Sequence, residues 1–135
     1  MNAHHQNSIA ERKIRTVVSL ARAMLFTAMI KNPGAVTLKL WPFAVHYAAD
    51  ILSNTPTSSG FTLKEIFIGV KGDRNFKNFH AFGSPAFVLD PIIQRGSKLP
   101  TWSPRSIPSV FIGKSHEYAS NVSLVLNPDT NFISP

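Results

Sequence analysis

The sequence has 135 residues and a formal net charge of +7, from 14 basic and 7 acidic side chains. This length fits one ordinary domain or two very small ones. The hydrophobic fraction of 44% excludes a chain that is disordered by composition, and the absence of cysteine excludes disulfides, thiol nucleophiles and Cys-based zinc sites. The excess of basic residues favours a polyanionic partner, most simply nucleic acid.

Membrane and secretion signals are weak in this sequence. The longest apolar stretch, residues 17–30, is interrupted by Ser19, Arg22 and Thr27, so no stretch reaches the ~20 apolar residues of a spanning helix. The first residues lack the basic and apolar regions of a signal peptide, so we expect an intracellular protein with no membrane partner. The carboxylates are scattered, and a metal site or acid–base pair would have to be assembled by the fold.

The first predicted element is a helix over residues 8–31. Apolar side chains recur through it at helical spacing, and Glu11, Arg15 and Arg22 cluster at the edge of the apolar arc, with Arg12 close by. Ser8 and Glu11 form a capping-box signature at its start. The segment 32–34, Asn-Pro-Gly, ends the helix.

Two shorter helices are predicted next. Residues 42–53 form one, since Pro42 suits the first helical turn and Asn-Thr-Pro at 54–56 ends the run. We expect Trp41 and Tyr47 to be core residues. A third helix follows Thr62, with Glu65 as the capping-box partner and a glycine at its end.

The pattern changes from helix to strand after a polar connecting segment at 71–80. Short β-rich runs are bounded by Pro, Gly, Asn or Ser, and residues 127–131 have the composition of a hairpin turn. The predicted strands are 86–90, 109–113, 122–126 and 132–134. Between the first two lies a long loop, 92–108, that carries Arg95, Lys98 and Arg105 and no acidic residue.

These elements predict an α+β protein with a helical part at 1–70, a linker at 71–80 and a small β domain, such as a barrel, at 81–135. Neither part looks complete. The helical part has amphipathic faces but no sheet to bury them, and the sequence stops directly after a predicted strand. We therefore expect a piece of a larger protein.

The segment HHQNSIAERKIRT at 4–16 closely resembles the last helix of the integrase catalytic core in copia-type retrotransposon polyproteins, whose pattern is roughly HHQNG[VI]AER-x-IRT. Ser8 replaces the usual glycine. Five further blocks follow in the family's order, with Leu63 replacing a usual proline and Ser84 a usual cysteine. They are LWPFA at 40–44 with Tyr-Ala-Ala at 47–49, TLKEIF at 62–67, FGSPAFVLD at 82–90, KLPTWSPRS at 98–106 and VFIGKS at 110–115.

The resemblance implies a fold for each part. Residues 1–70 would be the C-terminal helices of an RNase-H-like integrase core, without its sheet. Residues 81–135 would be an SH3-like β domain, truncated at its C-terminus.

The resemblance also implies a chemistry. Such integrases join element DNA to target DNA with two aspartates and one glutamate that hold two Mg²⁺ ions. Glu11 matches the glutamate, and both aspartates precede it in the family, so they would fall before Met1. One carboxylate cannot hold two ions, and we expect this fragment to bind no Mg²⁺ and to be catalytically inactive alone. His4 and His5 belong to this helix motif, because the zinc-binding module of the family also lies upstream.

DNA contacts are implied for the residues around Glu11, and the same residues have simpler interpretations. Capping, or pairing with Arg15, explains Glu11 equally well, and the basic residues would then form a solvated helix face. In the long loop, Trp102 either stacks on nucleic acid beside the basic residues or lies within the β unit. The predicted nucleic-acid contacts are Gln6, Asn7, Arg12, Lys13, Arg15, Arg22, Arg95, Lys98 and Arg105.

Other polar residues carry little signal. His46 and His80 are isolated in the sequence and are expected to be structural, and Ser84 has no identifiable general base.

Two classes of function remain open. The first is a retrotransposon integrase fragment that binds element ends and target DNA in the nucleus. The alternative is a domesticated or remnant non-enzymatic module that binds nucleic acid or protein. In that case the exposed apolar faces of the helices would mediate self-association or contact with another chain.

Overall fold

The computed structural model describes residues 3–71, 76–118 and 122–135, and side chains from residue 7 onward. Within these residues the protein is a mixed α+β structure with four helices and one four-stranded antiparallel sheet, which confirms the predicted class. The helices are α1 (Ala3–Lys31), α2 (Trp41–Asn54), α3 (Leu63–Ile68) and α4 (Pro91–Gln94). The strands are β1 (Pro85–Leu89), β2 (Ser106–Lys114), β3 (Ser123–Leu126) and β4 (Ile133–Ser134). Short 3-10 turns lie at Leu38–Leu40 and Phe76–Asn78.

Helix α1 begins earlier than the sequence predicts. Ser8 lies more than one turn inside it, so the prediction that Ser8 and Glu11 cap its start is wrong. The preceding residues contain no proline or glycine, and the helix therefore continues through them. Its end is predicted correctly: the Asn32 amide donates to the Ala28 carbonyl over 2.9 Å, and Gly34 has a φ of +84°.

Helix α2 matches its predicted range to within a residue at each end, with a proline in its first turn. Tyr47 is buried, as predicted, but Trp41 is 61% exposed, so its placement in the core is wrong. The Trp41 ring borders a groove between the two helices instead of filling the space between them. The contact itself uses small side chains, which allow the two backbones to approach closely. They include Ala21, Ala28, Ala44 and Ala48.

Helix α3 has the capping box that the sequence predicts. The Glu65 amide donates to Thr62 Oγ1 over 3.1 Å, and the Thr62 amide donates to Glu65 Oε2 over 2.8 Å. Gly69 ends the helix in the left-handed conformation with a φ of +74°. Both capping side chains are buried, so the polar side of this short helix faces the protein.

The sheet is a meander in the order β1-β2-β3-β4, and every neighbouring pair is antiparallel. The four predicted strands are confirmed, although β2 begins earlier than expected and α4 occupies the start of the predicted loop 92–108. The β3–β4 turn also forms as predicted, with the Asp129 amide donating to Asn127 Oδ1 over 2.9 Å. A register shift between Phe111 and Gly113 bends β2 at its most buried point.

Helices and sheet share one hydrophobic core. The Tyr47 ring meets Phe111 edge-on, with 5.3 Å between ring centroids, and so joins α2 to β2. The backbone of Gly83 lies against Ala28 of α1. The expectation that the helices have no sheet to pack on is therefore wrong for α2, while the boundary at 71–80 stays a prediction. Part of that segment, residues 72–75, lies outside the described residues.

Candidate nucleic-acid interface

The predicted contacts on α1 are brought onto a common exposed surface. Asn7, Glu11, Arg15 and Arg22 are exposed and follow one another at spacings of four, four and seven residues. Because an α-helix has about 3.6 residues per turn, these four residues lie on one face. We call it the α1 polar face. It is a line of hydrogen-bonding and basic groups with Glu11 among them.

Arg12 and Lys13 are exposed beside the α1 polar face. Arg12 Nε donates to the Ser8 carbonyl over 3.2 Å, which directs the guanidinium back along the helix. The Thr16 hydroxyl donates to the Arg12 carbonyl over 2.9 Å. The side chain of Gln6, another predicted contact, lies outside the described residues.

The structure supports neither of the two simpler interpretations of Glu11, helix capping and pairing with Arg15. It does not cap the helix, since α1 begins at Ala3. Among the described residues it forms no ion pair with Arg15, and its side chain is exposed on α1. No structural role in the described part of the chain accounts for this carboxylate.

The described residues do not fit a two-metal site. No group of three or more His, Asp or Glu side chains in that part of the chain is arranged to hold a metal ion. Glu11 is a single carboxylate on an exposed helix, and two Mg²⁺ ions need several oxygen ligands in a fixed arrangement.

A second basic set lies on the connection from α4 to β2. Arg95, Lys98 and Arg105 are all exposed, and Lys98 and Arg105 line one shallow cavity of about 280 Å³. The Asp90 amide donates to the Arg105 carbonyl over 3.1 Å, which fixes the backbone beside β1. Trp102 is 96% exposed, so the interpretation that places it within the β unit is wrong. Its ring is accessible for stacking.

Sequence reasoning missed the groove between α1 and α2. It has a volume of about 320 Å³, and Arg22 is its one charged lining residue among the described side chains. The remaining lining is apolar, with Val18, Ala21, Leu25, Phe26, Leu38, Trp41, Ala44 and Val45. Phe26 and Trp41 are large apolar side chains that the fold leaves exposed at this groove, and the sequence alone does not distinguish them from core residues.

A cleft of about 420 Å³ between α2 and the end of β2 was also missed. The rings of His46 and His116 lie 5.2 Å apart, so His46 is not isolated. His116 Nε2 lies 3.4 Å from Asp50 Oδ2. Lys114 Nζ lies 3.9 Å from the centre of the Phe79 ring, and burial lowers the pKa of this lysine. No sequence motif joins these residues, because the fold alone brings them together.

His80, predicted to be structural, packs edge-on against Phe111 with 5.5 Å between ring centroids. None of the described helices is long and apolar enough to cross a membrane. Searches among protein families, curated proteins and solved structures find no match to this chain.

Proposed function

We propose that this chain carries the C-terminal end of a copia-type integrase catalytic core, with RNase-H-like helices followed by an SH3-like β unit. Its role would be to bind element and target DNA during integration in the nucleus. The observation that carries the proposal is the α1 polar face. The residues that match the family's glutamate helix present Glu11 and basic side chains on one exposed surface.

The places of three of the six blocks in the structure support the proposal. The block at 82–90 supplies Gly83, which meets α1, and the block at 110–115 forms the buried centre of β2. The block at 40–44 begins α2. Residues that resemble the family therefore occupy positions on which packing depends, as expected if the resemblance reflects a common fold.

The α1–α2 groove is consistent with the same proposal. A helix pair that leaves Phe26, Leu38 and Trp41 exposed has an apolar surface without a partner in the described structure. In an RNase-H-like core such helices cover a sheet. The proposal therefore assigns the groove to the sheet of the intact core.

DNA binding by this chain would rest mainly on phosphate contacts. Arginine and lysine side chains that neutralise phosphates release condensed counterions, so affinity falls as salt rises. Arg15 and Arg22 are separated by seven residues, which is about 10 Å along a helix. That span lets two side chains reach successive phosphates of one strand.

We expect the affinity for duplex DNA to fall at least tenfold between about 50 and about 200 mM salt. Replacing both Arg15 and Arg22 by glutamine should lower the slope of log affinity against log salt by about two. Fluorescence anisotropy with a labelled duplex measures both. Lys31→Gln, an exposed lysine at the far end of α1, is the matched control. Absence of binding at low salt would reject DNA binding altogether.

We expect the 135-residue chain to give no Mg²⁺-dependent strand transfer, since Glu11 is one carboxylate where the family uses three. Glu11→Gln should leave duplex affinity unchanged or raise it slightly, because it removes a negative charge from a phosphate-binding surface. A strand-transfer assay and an anisotropy titration measure the two effects. Strand transfer by the purified chain would contradict this prediction.

The second candidate is a domesticated or remnant module without enzymatic activity, which binds nucleic acid or protein. The apolar α1–α2 groove favours it, because self-association or another chain could cover that surface. The coding sequence that precedes residue 1 discriminates the two. Two aspartates in an RNase-H-like frame support the integrase, and unrelated sequence supports the remnant module.

A further inference from the structure

Helix α3 and its flanks expose an unusual number of large apolar side chains. Six of them lie within residues 61–70, and each is between 40% and 93% exposed. We call this set the α3 surface; its members are Phe61, Leu63, Ile66, Phe67, Ile68 and Val70. Exposed apolar side chains concentrated on one short segment are typical of an interaction site, whereas apolar residues scattered singly are not.

The orientation of α3 causes this exposure. A helix on a protein surface normally buries its apolar side and exposes its polar side. Here the buried residues are Thr62 and Glu65, which form the reciprocal capping box against α2. The helix is thereby fixed with its apolar residues outward, and Phe67 is the most exposed of them at 93%.

Among the described residues, the exposed charges within or directly beside the α3 surface are basic. Lys64 and Lys71 are exposed within or beside it, while the carboxylate of Glu65 is turned inward and accepts from the Thr62 amide. Lys64 also lies within electrostatic reach of Lys114, whose pKa it helps to lower. The nearby Asp50 carboxylate faces His116. The described part of the edge of the α3 surface is therefore basic.

We propose that the α3 surface is a docking site for an acidic amphipathic protein segment. Its apolar side chains would cover Ile66 and Phe67, and its carboxylates would face Lys64 and Lys71. A buried aromatic side chain surrounded by complementary charges is typical of the residues that dominate binding energy at protein interfaces.

Other occupants fit the observations less well. Four of the six side chains are aliphatic and offer no ring for base stacking, which disfavours nucleic acid. The helix has only 6 residues, shorter than the amphipathic helices that lie in membrane interfaces. A second copy would bring the same basic edge and the same net charge of +7, so like charges would meet.

The test uses a synthetic peptide that forms an amphipathic helix with leucine on one face and glutamate on the other. A matched peptide carries lysine in place of glutamate. We expect the acidic peptide alone to bind, and Phe67→Ala to weaken it about tenfold or more. Lys64→Gln and Lys71→Gln should each weaken it a few-fold, with the difference shrinking at high salt.

Phe132→Ala is the control, since Phe132 is a 68% exposed phenylalanine outside the α3 surface. Backbone amide shifts measured by NMR should locate the peptide at residues 61–71. Equal binding of the lysine peptide, shifts centred on the α1–α2 groove, or no binding would each overturn the proposal. The proposal would also be overturned if Phe67→Ala bound anionic vesicles or DNA more weakly but bound the acidic peptide as tightly as before. An unchanged melting temperature in Phe67→Ala shows that the fold is retained.

Discussion

Replacing Gly83 by alanine is expected to destabilise the protein by roughly 3 kcal/mol or more. Gly83 has a φ of +82°, and a Cβ atom there would lie 2.4 Å from Ala28 Cβ and 2.9 Å from Ala28 Cα. The neighbouring atoms belong to the last turn of α1, and the Ala28 backbone cannot move aside without a shift of that turn. Hydrogen bonds also hold this backbone: the Gly83 amide donates to the Phe111 carbonyl, and its own carbonyl accepts from Asn32 Nδ2.

Gly96→Ala is the matched control. Gly96 has the same φ of +82°, but a Cβ atom there would meet nothing within 4 Å. It should therefore show only the cost of left-handed backbone for alanine, roughly 1 kcal/mol. Urea denaturation of both variants separates the two effects. Equal losses of unfolding free energy would show that the close contact of Gly83 with α1 does not exist in solution.

Truncating Tyr47 to alanine is expected to cost about 3–5 kcal/mol of unfolding free energy. The ring packs against Phe79, Phe82 and Phe111, and the hydroxyl donates to the His80 carbonyl over 2.6 Å. Tyr47→Phe keeps the ring and removes the hydroxyl, so its cost should be only about 1 kcal/mol. Thermal or urea unfolding measures the difference. A large loss in both variants would show that the hydrogen bond outweighs the packing.

The same residue gives the protein a dependence on alkaline pH. Burial is the main cause that raises the pKa of Tyr47 above its usual 10.0, with Asp50 adding to it, although the hydrogen bond to His80 lowers it. The folded state keeps the Tyr47 proton at a pH where the unfolded state loses it. The stability that Tyr47 contributes is therefore fully present below pH 10 and is lost as the pH rises through the folded pKa. Tyr47→Phe should show a shallower loss between about pH 9 and about pH 11. An identical pH dependence in the two proteins would contradict this assignment.

The sequence predicts most reliably what depends on neighbouring residues. The capping box of Thr62 and Glu65 and the Asn127 turn each form through hydrogen bonds within a few residues, and both are confirmed. Ser8 and Glu11 show the same spacing, yet α1 passes through them. A capping signature begins a helix only where the preceding residues leave the helical conformation. Here the preceding residues continue it.

The same distinction applies to the candidate interface: some of its features depend on neighbouring residues and others on the packing of the whole chain. Helical periodicity alone predicts that Glu11, Arg15 and Arg22 share one side of α1, and these residues are exposed in the structure. Asn7 joins them only because α1 begins earlier than predicted. The pairing of His46 with His116 depends on a contact between segments that are far apart in the sequence. The exposed position of Trp41 depends on how α1 and α2 pack. Such contacts have no local signature in one sequence.

The shared core has a consequence for any ligand that touches both α1 and the connection from α4 to β2. The contacts of Gly83 with Ala28 and of Tyr47 with Phe111 join the helices to the strands on either side of the second basic set. If both basic sets contact one polyanion, as proposed, a ligand bound at one of them would lose little further conformational entropy on engaging the other. The shape of a polyanion, as well as its charge, would then decide how tightly it binds.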